Sequence, residues 1–252
     1  MRAAPRSSRW VRREGISGIY HRVATEAVLF DYGLTLVTFE FPRDCLLRVL
    51  QQARAWLGDA SPSADWLLFH VLHPLEDELE GLGEDEVDYL EVYERAWRRV
   101  GLEPGRDVLY RILDGEQLCW DRAVQVVAEA LSVLDALRGR GVKTALASNA
   151  PFPPEMMTRQ VTGNGIGERM DAVVFSSMIG RRKPAPELYR TALDALAVRP
   201  ESALYVGDRQ REDYDGPRAI GMRALLCTAN ARTVPAPGTP SIDSLHQLLD
   251  LL

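Results

Sequence analysis

The sequence predicts a doubly wound α/β protein whose parallel sheet is interrupted, directly after its first strand, by an all-helical insertion. Two observations carry this. From about residue 122 onward, short apolar runs alternate with helical patterns, the rhythm of parallel strands joined by crossover helices. Residues 42–121, by contrast, contain no convincing strand. The 252 residues, 46% hydrophobic and 26% charged, supply ample material for a core.

The first strand is expected at about 26–30, an apolar run that ends in Asp31. Helices follow at about 43–57, 62–72, 85–100 and 105–118. Leu46, Leu47 and Leu50 recur at helical spacing, as do Tyr89, Val92, Tyr93 and Trp97. Further strands are expected at about 142–147, 171–175, 202–206 and 223–227. Helices at about 122–139, 152–162, 185–197 and 211–220 separate them, and a last helix at about 241–252 closes the chain. The domains expected are a basic leader over 1–22, a core made of 23–41 and 122–252, and a helical unit over 42–121. Trp56, Trp66, Trp97 and Trp120 are expected in the core of that unit.

Composition excludes several functions. No apolar stretch is long enough to span a membrane. A net charge of -6 leaves no basic footprint for nucleic acid. Three widely spaced cysteines, Cys45, Cys119 and Cys227, predict buried free thiols in a cytoplasmic, reducing setting. The first 22 residues carry six arginines and one acid, in the manner of a mitochondrial presequence. The whole chain prefers arginine, however, with 28 against two lysines, so this segment reads as a disordered leader. Either a monomer or a homodimer is compatible with the sequence.

Ligands of open parallel sheets bind outside the carboxyl ends of the strands. There the sequence places Asp31, then Ser148-Asn149, then Lys183 beside a Pro-started helix, then Asp208 followed by Asp213. Three carboxylates cannot crowd together ionised without a cation, and Mg²⁺ held by oxygen ligands answers that need. Ser148, adjacent backbone N–H groups and Lys183 suit a phosphate, with the helix start adding its own preference for anions. Each residue alone has a plain structural reading as a turn or cap residue. Their joint order is far more specific.

The pattern resembles the haloacid dehalogenase (HAD) superfamily of hydrolases over roughly residues 24–228. "FDYGLT" is similar to its first motif, "ASNA" to its second, "RRKPAPELY" to its third and "VGDRQREDYDGPRAIGM" to its fourth. The resemblance implies a Rossmann-like core with a helical cap over the active site, and Mg²⁺-dependent hydrolysis of a small phosphorylated metabolite. It implies Asp31 as nucleophile, Ser148, Asn149 and Lys183 on phosphate, and Asp31, the Gly33 carbonyl, Asp208 and Asp213 at the metal.

At one position the chain departs from that family. Its phosphatases generally carry a second Asp where this chain has Gly33, so the usual general acid is missing. Glu40, His70 and His73 are candidates to replace it, although the two histidines read more readily as ordinary helix-surface or cap-core residues. Dehalogenases of the family also lack the second Asp, but they lack the acidic pair kept here as Asp208 and Asp213. Phosphonate-cleaving members need a cap lysine, and residues 42–121 contain none. A phosphate- and metal-binding regulatory protein on the same fold is the alternative.

Overall fold

Strand β1 (Ala27–Phe30) is buried along its whole length, and its side chains divide between two cores. Val28 and Phe30 face one helical layer, and Ala27 and Leu29 face the other, as the two-residue period of a strand requires. The same division recurs along β4 (Lys143–Ser148), β6 (Ala203–Gly207) and β7 (Arg223–Cys227). Burial on both faces explains why these strands read as continuous apolar runs. Our computed structural model describes residues 24–58, 61–81 and 83–252. The leader expected over 1–22 lies outside them.

The chain order, after β1, is β2 (Val37–Phe39), α1 (Arg43–Leu57), and α2 (Ala64–Leu67) leading through a π-helical turn at Leu68–Leu72 into α3 (His73–Glu80). Next come α4 (Tyr89–Arg99), α5 (Arg106–Ala123), β3 (Val124–Val126), α6 (Ala130–Gly139), β4, α7 (Pro154–Gly163), β5 (Ala172–Phe175), α8 (Ser176–Ile179) and α9 (Pro186–Leu196). Strand β6, a π-helical turn at Gln210–Asp215, α10 (Gly216–Ala219), β7 and β8 (Ser241–Ile242) complete it. The sheet order is β5-β4-β1-β6-β7-β8, parallel throughout. Phe30 pairs with Leu146 on one side and Val206 on the other, so the carboxyl ends of β4, β1 and β6 lie level and adjacent.

Helices α1 to α5 stand between β2 and β3 and bury their own core, which includes Leu50, Leu67, Val71, Tyr93, Trp97 and Ile112. Of the four tryptophans expected there, Trp97 is fully buried, Trp66 and Trp120 are half-buried, and Trp56 is exposed beneath the Arg111 guanidinium.

Four expectations need correction. The helix expected at 122–139 begins only at Ala130, because Val124 and Val126 pair antiparallel with Phe39 and Val37. β-branched residues beside an available partner strand favour that pairing over a helical turn. The closing helix expected at 241–252 is instead strand β8 and a 3₁₀ helix, Leu245–Asp250. The open edge of β7 captures Ser241–Ile242, and Ser244 then caps the short helix by accepting from the His246 N–H. The helix expected to stop at 72 continues to Glu80. Lastly, Cys45 and Cys119 form a disulfide across the α1–α5 contact, with their Cα atoms 5.6 Å apart, and Cys227 is the free thiol. A separation of 74 residues carries no sign of this pairing in sequence, and it removes the cysteine argument for a reducing compartment. Among the described residues no helix is long and apolar enough to cross a membrane.

One buried acid sets a pH dependence. Glu116 on α5 lies in the insertion core and accepts a 2.8 Å hydrogen bond from the Tyr93 hydroxyl. Burial pushes its carboxyl up to about 8; the Tyr93 bond opposes the rise and nearby Glu76 adds to it. The unfolded chain releases this proton near 4.5, whereas the folded protein keeps it to about 8. Stability should therefore fall as pH rises across that window and level off above it. Glu116→Gln is expected to flatten this slope, with a gain on the order of 2–4 kcal/mol at pH 8.5 and little at pH 4.5, read by denaturant unfolding at both pH values.

Candidate active site

Three of the expected residues come from the level ends of adjacent strands. Asp31 follows β1, Ser148 ends β4, and Asp208 follows β6. The Asp31 N–H donates to the Val206 carbonyl at 2.9 Å, which extends the β1–β6 register to the carboxylate itself. All three residues are buried.

Lys183 arrives from the loop between α8 and α9 and is 4% exposed. Its ammonium donates to Asp31 Oδ1 at 2.7 Å, to Asp213 Oδ1 at 2.7 Å and to the Tyr205 hydroxyl at 2.9 Å, so all three of its protons are used. Burial disfavours its charge, but Asp213 and Asp31 outweigh that and hold it above the usual lysine range. Tyr205 in turn donates to the Ala147 carbonyl at 2.6 Å. Sequence reasoning missed Tyr205. Its signal was a hydroxyl-bearing residue in the otherwise apolar run ALYVG, where a buried Tyr needs a polar partner.

The Asn149 side chain is committed to Lys183. Its Oδ1 accepts from the Lys183 N–H at 2.7 Å and its Nδ2 donates to the Lys183 carbonyl at 3.2 Å. Asp213 is committed likewise. Its Oδ2 accepts the backbone N–H groups of Asp208 and Arg209 at 3.0 and 2.8 Å, while Oδ1 holds the ammonium. Asp213 reaches so close to β6 that a Cβ on Gly207 would lie 2.3 Å from its carboxyl carbon. Gly207→Ala is therefore expected to destabilise the fold by about 1–3 kcal/mol, read as a lower denaturant midpoint.

Asp31, Asp208 and Asp213 offer oxygens that all lie within 4.8 Å of one another. Three carboxylates facing one ammonium leave two negative charges unbalanced. The strain shows at Asp208, whose carboxyl is pushed up to about 7 by burial and by Asp31 and Asp213. Hard oxygen donors with that surplus charge fit a divalent cation such as Mg²⁺. Since Asp213 already has both oxygens engaged, Asp31 and Asp208 are the better-placed donors.

Gly33, two residues after Asp31, is half-buried. A Cβ there would meet only the Phe39 ring, at 3.5 Å, which is ordinary contact. Among the described residues, none of the three candidate substitutes for the missing acid forms a hydrogen bond or ion pair with Asp31, Asp208 or Asp213. Glu40 is exposed. His70 is exposed, stacked on Trp66, and bonded through Nδ1 to the Trp66 carbonyl at 2.9 Å. His73 is exposed and packs edge-on against Phe41 and Phe69.

Comparison with known proteins identifies the family. A family described as haloacid dehalogenase-like hydrolase matches residues 25–221. The chain is 36% identical over 136 residues to mouse haloacid dehalogenase-like hydrolase domain-containing protein 3, covering 51% of this chain and 53% of that one. It is 32% identical over 121 residues to a phosphoserine phosphatase of Thermus thermophilus, covering 48% of each. It thus spans about half the length of these curated relatives. The solved HAD phosphatase of Thermococcus onnurineus shares the fold, with a TM-score of 0.63 at 19% identity, over 90% of this chain and 97% of that chain. The chain belongs to the haloacid dehalogenase-like hydrolase family.

Proposed function

We propose that this protein is a Mg²⁺-dependent phosphoryl hydrolase of small phosphorylated metabolites, working through an aspartyl-phosphate at Asp31. The observation that carries the reading is the buried Asp31–Lys183–Asp213 arrangement, which fixes one oxygen of a strand-end carboxylate. With Oδ1 held by Lys183, Asp31 has its second oxygen to attack phosphorus. The new bond joins that oxygen to phosphorus as the bond to the leaving oxygen breaks. Water then cleaves the acyl-phosphate and restores the carboxylate.

Ser148 and the backbone N–H of Asn149 would receive the phosphoryl oxygens, with the Lys183 ammonium beside them. Asp213 and Tyr205 hold that ammonium in place, and Asn149 holds its backbone. Asp31, Asp208 and the Gly33 carbonyl would hold Mg²⁺, with Asp213 behind them; bound there, it would neutralise charge on the phosphoryl group. The helices α1 to α5 would serve as a cap that excludes water and selects substrate. Gly33 supplies no proton, so leaving groups that depart without one, such as acyl phosphates, should be preferred. The phosphatase name of the Thermus relative supports the same reading.

The test is phosphate release by the purified full chain with Mg²⁺ from acetyl phosphate, an aryl phosphate and a metabolite panel. Release that stops on chelation and recovers with Mg²⁺ is expected. No release from any of them would refute the reading.

A further inference from the structure

The segment that precedes α4 grips the loop that carries Lys183. The Glu86 N–H donates to the Gly180 carbonyl at 3.0 Å, and the Arg182 N–H donates to the Glu84 carbonyl at 2.8 Å, closing an antiparallel bridge at Asp85 and Arg181. Side chains repeat the grip. Arg182 donates to both carboxylate oxygens of Glu86 at 2.9 and 3.0 Å, and the Glu86 side chain is only 1% exposed. Arg181 pairs with Asp85 and lies 3.7 Å from Glu84. Glu84 also reaches Arg211 at 3.4 Å, on the turn that carries Asp213. One short acidic segment therefore touches both loops that place the ammonium and its partner carboxylate.

We infer that Glu86 is a positioning residue for Lys183, acting through Arg182, so that docking of the helical insertion sets the ammonium against Asp31. The Lys183 backbone is held on one side by Asn149 and on the other by this bridge. A charge-assisted pair in which one guanidinium nitrogen, Nη1, reaches both oxygens of a desolvated carboxylate ties the loop firmly to the insertion. Removing the Glu86 charge leaves the half-buried Arg182 guanidinium without its counter-ion, which favours movement of the loop toward solvent. Solvent-exposed pairs such as Arg181–Asp85 would contribute far less. The consequence for catalysis rests on the proposed role of Lys183, whereas its placement does not.

The chain has only two lysines, which allows a direct test. Lys143 is exposed and Lys183 is buried, so reductive methylation followed by peptide mass spectrometry reads Lys183 against an internal control. In full-length Glu86→Gln, and separately in Arg182→Gln, Lys183 is expected to label about tenfold faster or more as its loop opens, with Lys143 unchanged. The paired exchange Glu86→Arg with Arg182→Glu should move the rate back toward the parent's. Lys183 labelling at the parent rate in both single variants would overturn the inference, whether or not the parent releases phosphate. If the parent is active, kcat should fall with KM nearly constant. A rise in KM alone would also overturn it, since the pair would then serve ligand capture.

Discussion

Asp31→Asn is expected to abolish phosphate release, lowering kcat by at least about 10⁴-fold while leaving the fold intact. Asparagine has the same shape and can still accept from Lys183, so the buried hydrogen bond is kept. What is lost is the nucleophilic carboxylate. Removing one of three crowded negative charges should also relieve Asp208, whose raised pKa owes part of its shift to Asp31. Thermal unfolding should thus change little. Incubation with acetyl phosphate should add a phosphoryl group to Asp31 of the parent, seen by intact and peptide mass, and none to the variant. Residual turnover within tenfold of the parent would rule out Asp31 as nucleophile.

The second large effect is a gain. Gly33→Asp restores the carboxylate that family phosphatases generally carry, and should raise turnover of alkyl phosphates by about 10²–10⁴-fold. The site has room, because the nearest atom to the new Cβ is a Phe39 ring carbon at 3.5 Å. Acetyl phosphate should gain little, since its leaving group departs without a proton. The pattern across leaving groups is the diagnostic, and an equal gain on both would point to better binding instead of acid catalysis. An inactive parent with an active Gly33→Asp would make the natural protein a phosphate- and metal-binding member of its family. The hydrolase proposal would then be withdrawn.

The positions of Asp31, Ser148 and Asp208 were legible because each sits at the carboxyl end of a short apolar run, and those of Lys183 and Asp213 because they lie in the segments that follow such runs. Lys183 stood out further as one of two lysines among 28 arginines. How these residues are used was not legible. Asn149 holds the Lys183 backbone with both ends of its amide, and Asp213 caps the turn above Gly207. Tyr205, Glu86 and Arg182 passed as ordinary strand and surface residues, because their partners lie far away in sequence. The disulfide escaped for the same reason, and β3 escaped because its partner β2 is separated from it by the whole insertion.

By itself the sequence determined the class of fold, the carboxyl-end edge where the chemistry gathers, and the absence of a side chain at the acid position. These follow from local periodicity and from strand ends, which neighbouring residues encode. Tertiary structure alone decided that Lys183 is shared between Asp31 and Asp213, that the insertion grips the Lys183 loop through Glu86, and that Glu116 keeps its proton. Those outcomes depend on burial and on which distant groups share a desolvated volume, quantities that no stretch of adjacent residues contains.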